Sequence, residues 1–416
     1  MEAADRRAPI WPEAKQSVST SILSLMSAEL TAGTTFSDWS AALLTAAQRA
    51  SSDGPSAIVI DELPDLLEHD PDADADIRAA WSALEGMPVM LLCIGSDVSM
   101  MEQLLEHGRA LFGRPTLQLR VPPMSPADIA DLLSLDAADA FDAYLTIGGF
   151  PMLAADWSPG MTREKFLARE LCDPSSNLIV NGERILAAEF RTELQARGVL
   201  EAIGKGERRF EEIRHRSSLQ ATSLSRTLRT LVKHKGVVER ITPFAAPLPR
   251  RDPRYLVADP YLRFWLRFVG PHIEEIERGR GAQVTERVVR DWPVYRGTAI
   301  EPVVRTAMER MLPDERFADA GRVGSWWDRA GGQIDLVGLP GQDRPKRVSF
   351  LGSIKWRERS RFDRRDLRAL AEGGAAVPGA DADTALVGVS RSGFDAGAER
   401  LDVRLEPDDL LQAWRR

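Results

Sequence analysis

Two acidic residues follow a short apolar, β-branched segment in the first third of the chain. Residues 56–60 read SAIVI, and Asp61 and Glu62 come directly after them. An apolar strand ending in Asp-Glu is the Walker B arrangement, in which the aspartate holds Mg²⁺ through water and the glutamate polarises the attacking water. Strand ends also carry acids for solubility, so the pattern alone is not specific. The sequence predicts Asp61 and Glu62 as catalytic residues. Asp61 is also predicted to bind the metal ion and the cofactor.

A second apolar run, residues 89–94, ends in Gly95 and Ser96. Apolar residues at helical spacing over residues 77–84 separate the two runs, which predicts the strand–helix–strand unit of a parallel sheet. Ser96 then takes the position at which P-loop ATPases place a polar residue that senses the γ-phosphate of ATP. We therefore expect Ser96 to bind the cofactor. Residues 117–121, LQLRV, alternate like a further strand.

Three polar residues in the last third occur in an order that resembles the restriction-endonuclease-like core, PD-(D/E)xK. Glu301 lies on a predicted helix, Asp335 on a predicted strand and Lys355 on the next. The resemblance implies that both acids hold a divalent metal while the lysine stabilises charge developing on phosphate. Ser353 stands where the core has its second strand acid, and a serine brings no negative charge to a hard cation. We therefore interpret Asp335 and Lys355 as a residual polar pair without cleavage activity. The alternative is a metal-dependent nuclease that acts through the same two residues. We expect Trp356 to be a packing residue.

A basic helical segment precedes that region. Residues 193–240 show three short amphipathic helices and a strand-like tail, with Gly236 placed as a helix C-cap, which is the outline of a winged helix-turn-helix. The third helix presents Arg226, Arg229 and Lys233 on one face. Such cations contact phosphates or guanine edges in a major groove. Winged helices also serve as packing modules, and both interpretations stay open.

The charge distribution points to the same segment. The chain carries 54 Lys and Arg against 62 Asp and Glu, a net charge of −8. Residues 1–160 contain 8 basic and 24 acidic residues, whereas residues 190–245 contain 12 and 6. DNA is therefore the predicted partner of the middle segment, and a solvated helical surface is the alternative.

The composition is that of a globular protein. The chain has 416 residues, 44% of them hydrophobic, which allows two to four domains. No stretch approaches the ~18 apolar residues of a membrane span, and the first residues lack the apolar core of a signal peptide. We expect a cytoplasmic protein without a membrane partner. Cys93 and Cys172 lack CxxC spacing, so we expect two reduced, buried thiols.

Several motifs in order resemble the archaeal-type P-loop ATPases related to the AAA and STAND groups. They are IVIDELPDLL, LLCIGSDVSMMEQLL, LFGRPTLQLRVPPMSPADI and IGGFPMLA. Further on, RYLVADPYLRFWLRFV, GSWWDRAGGQIDLVGL and IKWRE resemble the uncharacterised carboxy-terminal domain that follows those ATPases. The resemblance spans about residues 35–395 and implies ATP and Mg²⁺ as cofactors.

Members of that family carry a Walker A loop ahead of the Walker B strand. The 416 residues contain no GxxxxGK[ST]; the Gly204-Lys205 pair lies in the basic helical segment. We expect the chain to start after the loop, through either a late start codon or true loss. As given, it is expected to bind ATP poorly.

The predicted fold class is α/β, in three parts. Residues 1–155 form a truncated P-loop NTPase-like parallel sheet, residues 156–250 a helical and winged-helix region, and residues 251–416 a nuclease-like α/β domain. The predicted function is that of an ATPase-family, regulatory protein with a DNA-binding-type winged helix and a degenerate nuclease-like domain. The alternatives are a metal-dependent DNA nuclease and a non-catalytic DNA-binding or scaffold protein.

Overall fold

The computed structural model has a mixed α/β fold with parallel and mixed sheets. The chain divides into two compact units, one ending at Val121 and the other beginning at Pro122. The three-part division predicted from the sequence stays a prediction. The structure describes residues 36, 38–52, 54–70, 72–95, 98–109, 111–190, 193–245, 253–341 and 346–415.

The first unit contains the predicted strand–helix–strand arrangement. Strands β1 and β2 pair in parallel, with Ser56 opposite Val89 and Ile60 opposite Cys93. A parallel pair needs a crossover connection, which the intervening helices supply. In chain order the elements are α1 (Trp39–Ser51), β1 (Ser56–Ile60), α2 (Leu63–His69), α3 (Ala73–Leu84), β2 (Val89–Cys93) and α4 (Val98–Gln103).

Apolar faces of the helices form the core of this unit. Leu43 of α1, Leu63 of α2 and Ile77 of α3 are fully buried and cluster with Ile60 of β1. The helix predicted from residue 77 begins earlier, at Ala73. Its first turn carries Asp74, which is favourable at the positive end of a helix dipole.

The strand predicted over residues 117–121 is absent from the described structure. Leu117, Leu119 and Val121 are 78%, 77% and 81% exposed, and this segment pairs with no described strand. Alternation of apolar and polar residues indicates a strand only where a neighbouring strand supplies a hydrogen-bond ladder. The prediction was therefore wrong for the described residues. The prediction of buried thiols also fails in part, since Cys93 is half-buried and Cys172 is exposed.

The second unit opens with helices. The sequence pattern predicts one helix over residues 126–145, but the structure has two, because Ser134 adopts the left-handed conformation (φ 53°) and ends the first. Asp136 then caps the second, its carboxylate accepting a hydrogen bond from Asp139 N at 2.8 Å. The helices are α5 (Pro126–Leu133), α6 (Ala137–Ile147), α7 (Pro151–Asp156), α8 (Arg163–Glu170) and α9 (Asn177–Glu189).

Three short helices and a two-stranded antiparallel sheet follow. Val238 pairs with Val257 and Ile241 with Arg254, and an isolated bridge joins Arg209 to Arg254. The predicted cap is confirmed, since Gly236 has φ 65° at the end of the third helix. The elements are α10 (Leu194–Gly204), α11 (Phe210–Ser217), α12 (Ala221–Arg229, continued as a π turn over Thr230–His234), β3 (Val238–Ile241) and β4 (Arg254–Val257).

A long helix forms the centre of the second unit. After α13 (Pro260–Phe264) and α14 (Ile273–Glu277), α15 runs over Gly281–Met311. The sequence predicts a helix only around residues 301–312, so the observed helix starts much earlier. Pro293 and Pro302 lie inside it, although proline removes an intrahelical hydrogen bond. Burial of one face outweighs this loss, with Val284, Val288, Trp292, Ile300 and Val304 all packed in the core.

A mixed five-stranded sheet completes the unit. Its order is β5 (Ala320–Trp327), β6 (Gln333–Pro340), β7 (Phe350–Lys355), β8 (Ala385–Ser390) and β9 (Val403–Leu405). The first three strands are antiparallel, whereas β8 is parallel to both β7 and β9. Helix α16 (Arg364–Gly374) connects β7 to β8, and α17 (Pro407–Arg415) follows β9. Residues 340–343, Pro-Gly-Gln-Asp, have a composition that predicts a turn after β6, and they lie partly outside the described residues. The topology from α15 onward is therefore helix, three-strand meander, helix, strand.

Candidate functional site

The acidic pair lies at the carboxyl end of β1. Asp61 and Glu62 are both exposed. Ile94 N donates to Ile60 O at 2.8 Å and Leu63 N donates to Ile94 O at 3.0 Å, so the ends of β1 and β2 are joined at the same edge. Ser96 lies outside the described residues, and its predicted role stays a prediction.

The backbone at this strand end is strained. Glu62 has φ 50° and ψ 44°, a left-handed conformation that costs a non-glycine residue about 1–2 kcal/mol. The Asp61 carboxylate accepts a hydrogen bond from Glu62 N at 3.0 Å. The resulting turn places two carboxylates next to each other at the strand end. Throughout the described ranges, no three His, Cys, Asp or Glu side chains come close enough to hold a metal ion.

Asp335 and Ser353 meet on adjacent strands of the mixed sheet. Asp335 Oδ2 accepts hydrogen bonds from Ser353 Oγ at 3.1 Å and from Ile354 N at 2.9 Å. The serine thus donates to the aspartate at the place where a second carboxylate would share a cation with it. This oxygen of Asp335 therefore already accepts two hydrogen bonds from residues of β7.

Lys355 is directed to helix α16. Its Nζ lies 4.0 Å from Asp366 Oδ1, and Arg357 binds the same carboxylate through two hydrogen bonds of 2.9 and 2.6 Å. Asp366 therefore has two cationic neighbours, with the shorter contacts to Arg357. The lysine at the end of β7 is already engaged in this network.

Glu301 of α15 is half-buried beside Arg305, and their charged atoms are 3.7 Å apart. Burial raises the pKa of Glu301; Arg305 opposes this shift and Asp335 adds to it. Burial also lowers the pKa of Arg305. Burial thus disfavours the charged form of Glu301, which is the form that a hard cation binds.

Arginine side chains surround this acid. Arg254 donates to Gln333 Oε1 at 2.9 Å and lies over the ring of Trp327 at 4.3 Å. Arg208 and Arg254 line the same small pocket as Glu301. The structure thus brings Glu301 and Asp335 into electrostatic contact, but in a setting dominated by guanidinium groups.

The basic face predicted on the third helix is exposed. Arg226 and Arg229 lie on α12 and Lys233 on its π-turn continuation, all three exposed, while Leu224 and Leu228 are buried on the opposite side. None of the three cations forms an ion pair with a described residue.

Other arginines of this segment differ in this respect. Arg197 binds Glu183 at 2.9 Å, Arg214 lies 2.7 Å from Glu211, and Arg216 lies 3.3 Å from Glu207. The three cations on α12 are therefore available to bind an external anion.

Sequence reasoning missed a buried group of charges in the second unit. Asp142, Arg163, Arg296 and Arg391 surround one cavity but come from separate regions of the chain. No local motif connects them. The available signal was an acid within the apolar run of α6, a position where a charge requires partners.

Comparison with known proteins places these features in context. Residues 265–367 match the family model DUF234, described as "Archaea bacterial proteins of unknown function". An uncharacterized protein of Methanocaldococcus jannaschii, MJECL04, is 26% identical over 314 residues, which are 72% of this chain and 67% of that protein. A structure of the Aeropyrum pernix ORC2 protein in ADPNP and ADP complexes aligns at 15% identity over 63% of this chain and 75% of that one. Its TM-score of 0.26 is too low to indicate a common fold.

The family match covers α15, the three-strand meander and the start of α16. It confirms the part of the resemblance that concerned an uncharacterised carboxy-terminal domain. In the described residues, no helix has the length and apolarity to cross a membrane. The C-terminal part of the chain is thus similar to the DUF234 family.

Proposed function

We propose that the chain binds double-stranded DNA without cleaving it, through the exposed cationic face of α12. The observation that carries this proposal is that Arg226, Arg229 and Lys233 share one face and pair with no described acid. The order α10, α11, α12 and then the β3–β4 pair is that of a winged helix-turn-helix, whose third helix enters the major groove. An α-helix, about 10–12 Å across with its side chains, matches a groove about 12 Å wide.

The affinity of this interface comes mainly from charge. Each phosphate neutralised by a cation releases condensed counterions, so affinity falls with salt in proportion to the number of contacts. Acidic residues in the first part of the chain oppose binding. We expect weak affinity that falls steeply as salt is raised.

The test measures DNA binding by fluorescence anisotropy over a range of salt concentrations, using a labelled duplex of arbitrary sequence. Replacing Arg226, Arg229 and Lys233 together by Ala should make the slope of log K against log salt shallower by about 2.7 units, which is three contacts at about 0.9 each. The matched control replaces Arg197, Arg214 and Arg216 by Ala. It removes three charges from the same segment, but these are already paired with glutamates.

The control should leave the slope nearly unchanged. Equal losses in both triple variants would mean that bulk charge, not the α12 face, attracts DNA. No change in the α12 variant would make this face a solvated surface.

For the C-terminal region we propose a nuclease-like fold whose site has lost cleavage. The helix, meander, helix, strand order from α15 to β8 supports the fold. Two features oppose catalysis: Ser353 donates a hydrogen bond to Asp335, and Lys355 lies beside Asp366. A metal-dependent nuclease acting through Asp335 and Lys355 is the alternative that a cleavage assay distinguishes.

A second candidate function is an ATPase-related role for the first unit, with ATP and Mg²⁺ as cofactors. It is favoured by the position of Asp61 and Glu62 at the joined carboxyl ends of two parallel strands. In this role Asp61 would hold Mg²⁺ through water and Glu62 would orient the attacking water. A phosphate-binding loop would still have to supply most of the nucleotide affinity.

A further inference from the structure

A cavity of about 910 Å³ lies within the second unit. Helices α6 and α15 contribute Asp142 and Arg296, while Trp356 and Arg391 directly follow strands β7 and β8. Because β7 and β8 are parallel, their carboxyl ends open on the same side, where open α/β sheets bind ligands. A volume of several hundred Å³ is typical of small-molecule sites. We call this cavity the arginine pocket.

Three guanidinium groups, of buried Arg296 and half-buried Arg163 and Arg391, share one buried carboxylate there. Asp142 Oδ2 lies 2.9 Å from Arg296 Nη1, 3.2 Å from Arg391 Nη2 and 3.9 Å from Arg163 Nη1. The side chain of Arg296 is only 2% exposed and that of Asp142 5%. The deeply placed charges therefore carry a formal excess of two positive charges.

The other acids of the arginine pocket compensate this excess only weakly. Asp139, Glu164 and Glu358 pair with Arg391, Arg163 and Arg296, but about half of each acidic side chain is exposed to water. Water around these carboxylates screens the three pairs, so they offset the arginine charge less than the buried Asp142 carboxylate does. The positive charge of the inner wall is thus not balanced by the protein at the same depth.

Orphaned donors accompany the excess charge. The Nε–H groups of Arg163, Arg296 and Arg391 are buried and find no hydrogen-bond partner among the described residues. Leaving such donors unpaired is unfavourable. Burial also lowers the pKa of Arg163, although neighbouring acids oppose that shift. An anion in the cavity would offset the excess positive charge of the three guanidinium groups.

Asp142 acts as a positioning residue. Its Oδ1 accepts from Trp356 Nε1 at 3.2 Å and its Oδ2 is occupied by the arginines. Arg163 lies 4.0 Å above the ring of Trp292, which limits its motion. The three guanidinium groups are consequently held in place before any ligand arrives.

We propose that the arginine pocket binds a phosphoryl group as its dianion, either inorganic phosphate or a phosphate monoester. The two negative charges of the dianion equal the excess of two positive charges that the three arginines carry over Asp142. A monoanion would neutralise only half of that excess. A tetrahedral phosphoryl group directs three oxygens from one centre, and arginine forks bind such oxygens in pairs. This proposal is independent of DNA binding by α12.

The test titrates the full chain with inorganic phosphate and with phenyl phosphate by calorimetry, at low salt and pH 7.5. Arg163→Gln is the informative variant, because Arg163 is the arginine farthest from Asp142 and its removal leaves that carboxylate paired. Losing one charge-assisted interaction should weaken binding about tenfold to a hundredfold. Arg368→Gln is the control; it removes an exposed guanidinium paired with Glu372 on α16 and should bind as the wild type does.

Tighter binding of phenyl phosphate would identify an ester as the ligand, and tighter binding of inorganic phosphate would identify the free ion. Absence of saturable binding of either probe by the wild type would overturn the proposal. So would unchanged affinity in Arg163→Gln, or equally tight binding of monoanionic dimethyl phosphate or of malonate, a dianion that lacks a tetrahedral centre bearing three oxygens.

If Arg163→Gln does not fold, Arg163→Lys keeps the charge without the planar fork and should bind more weakly than the wild type. Unchanged affinity in this second variant would also count against the proposal.

Discussion

Replacing Ser353 by glutamate would restore the acid that the nuclease-like core lacks. Ser353 Oγ now donates to Asp335 Oδ2 at 3.1 Å from a buried position. The substitution Ser353→Glu would replace this hydrogen bond by a second carboxylate beside the first. We expect the variant to be less stable than the wild type and to gain stability when a divalent metal is added.

The size of the effect follows from the geometry. Two carboxylates about 5 Å apart at an effective dielectric constant of about 20 repel each other by about 3 kcal/mol. Losing a hydrogen bond to a charged group adds about 2 kcal/mol. The neutral control Ser353→Gln introduces a similar volume and also loses the serine hydroxyl. The difference between the two variants therefore isolates a repulsion of up to about 3 kcal/mol at neutral pH.

The assay is urea unfolding of the wild type, Ser353→Glu and Ser353→Gln, each with and without MnCl₂. Protonation relieves the repulsion, so the gap between the variants should narrow as the pH falls through the acidic range. Mn²⁺ should also reduce the difference in free energy of unfolding between the two variants, because it binds the paired carboxylates of Ser353→Glu selectively.

Equal stability of the two variants, or an equal response to Mn²⁺, would refute the placement of Ser353 against Asp335. DNA cleavage by the wild type with Mg²⁺ that is lost on Asp335→Ala would refute the degenerate-site interpretation itself.

Two further predictions concern packing and nucleotide binding. A Cβ at Gly182 would lie 2.4 Å from the ring of Trp265, so Gly182→Ala should destabilise the chain by about 1–3 kcal/mol, whereas Gly198→Ala, with open space around it, should be neutral or stabilise by up to about 1 kcal/mol. Urea unfolding of both variants checks this; a Gly182→Ala midpoint at or above that of Gly198→Ala would contradict it. Because the 416 residues contain no GxxxxGK[ST] loop, calorimetry should detect no MgATP binding in the micromolar range. Tight binding abolished by Asp61→Ala would overturn that expectation.

Local sequence patterns were sufficient to predict the helices and strands that depend on nearby residues. Apolar runs predicted β1 and β2, and helical periodicity with the Gly236 cap predicted α10 to α12. The predicted packing role of Trp356 is confirmed, since the residue is 3% exposed. These features depend on interactions within a few residues of each position, which is why the sequence alone determines them.

Alternation failed where a distant partner was needed. Residues 117–121 have a strand pattern, but a strand forms only when another strand pairs with it. Helix α15 continues through two prolines because burial of one face outweighs the hydrogen bonds that they remove.

Tertiary structure alone determined the charged sites. Only folding places the Ser353 hydroxyl against Asp335 and Glu301 beside Arg305. Only folding brings Arg163, Arg296 and Arg391 around Asp142. The interactions among these groups depend on distance and burial, and neither is encoded in a local spacing. The exposed face of α12 is the opposite case. Its three cations lie on a single helix, so helical periodicity alone predicted that they share one face.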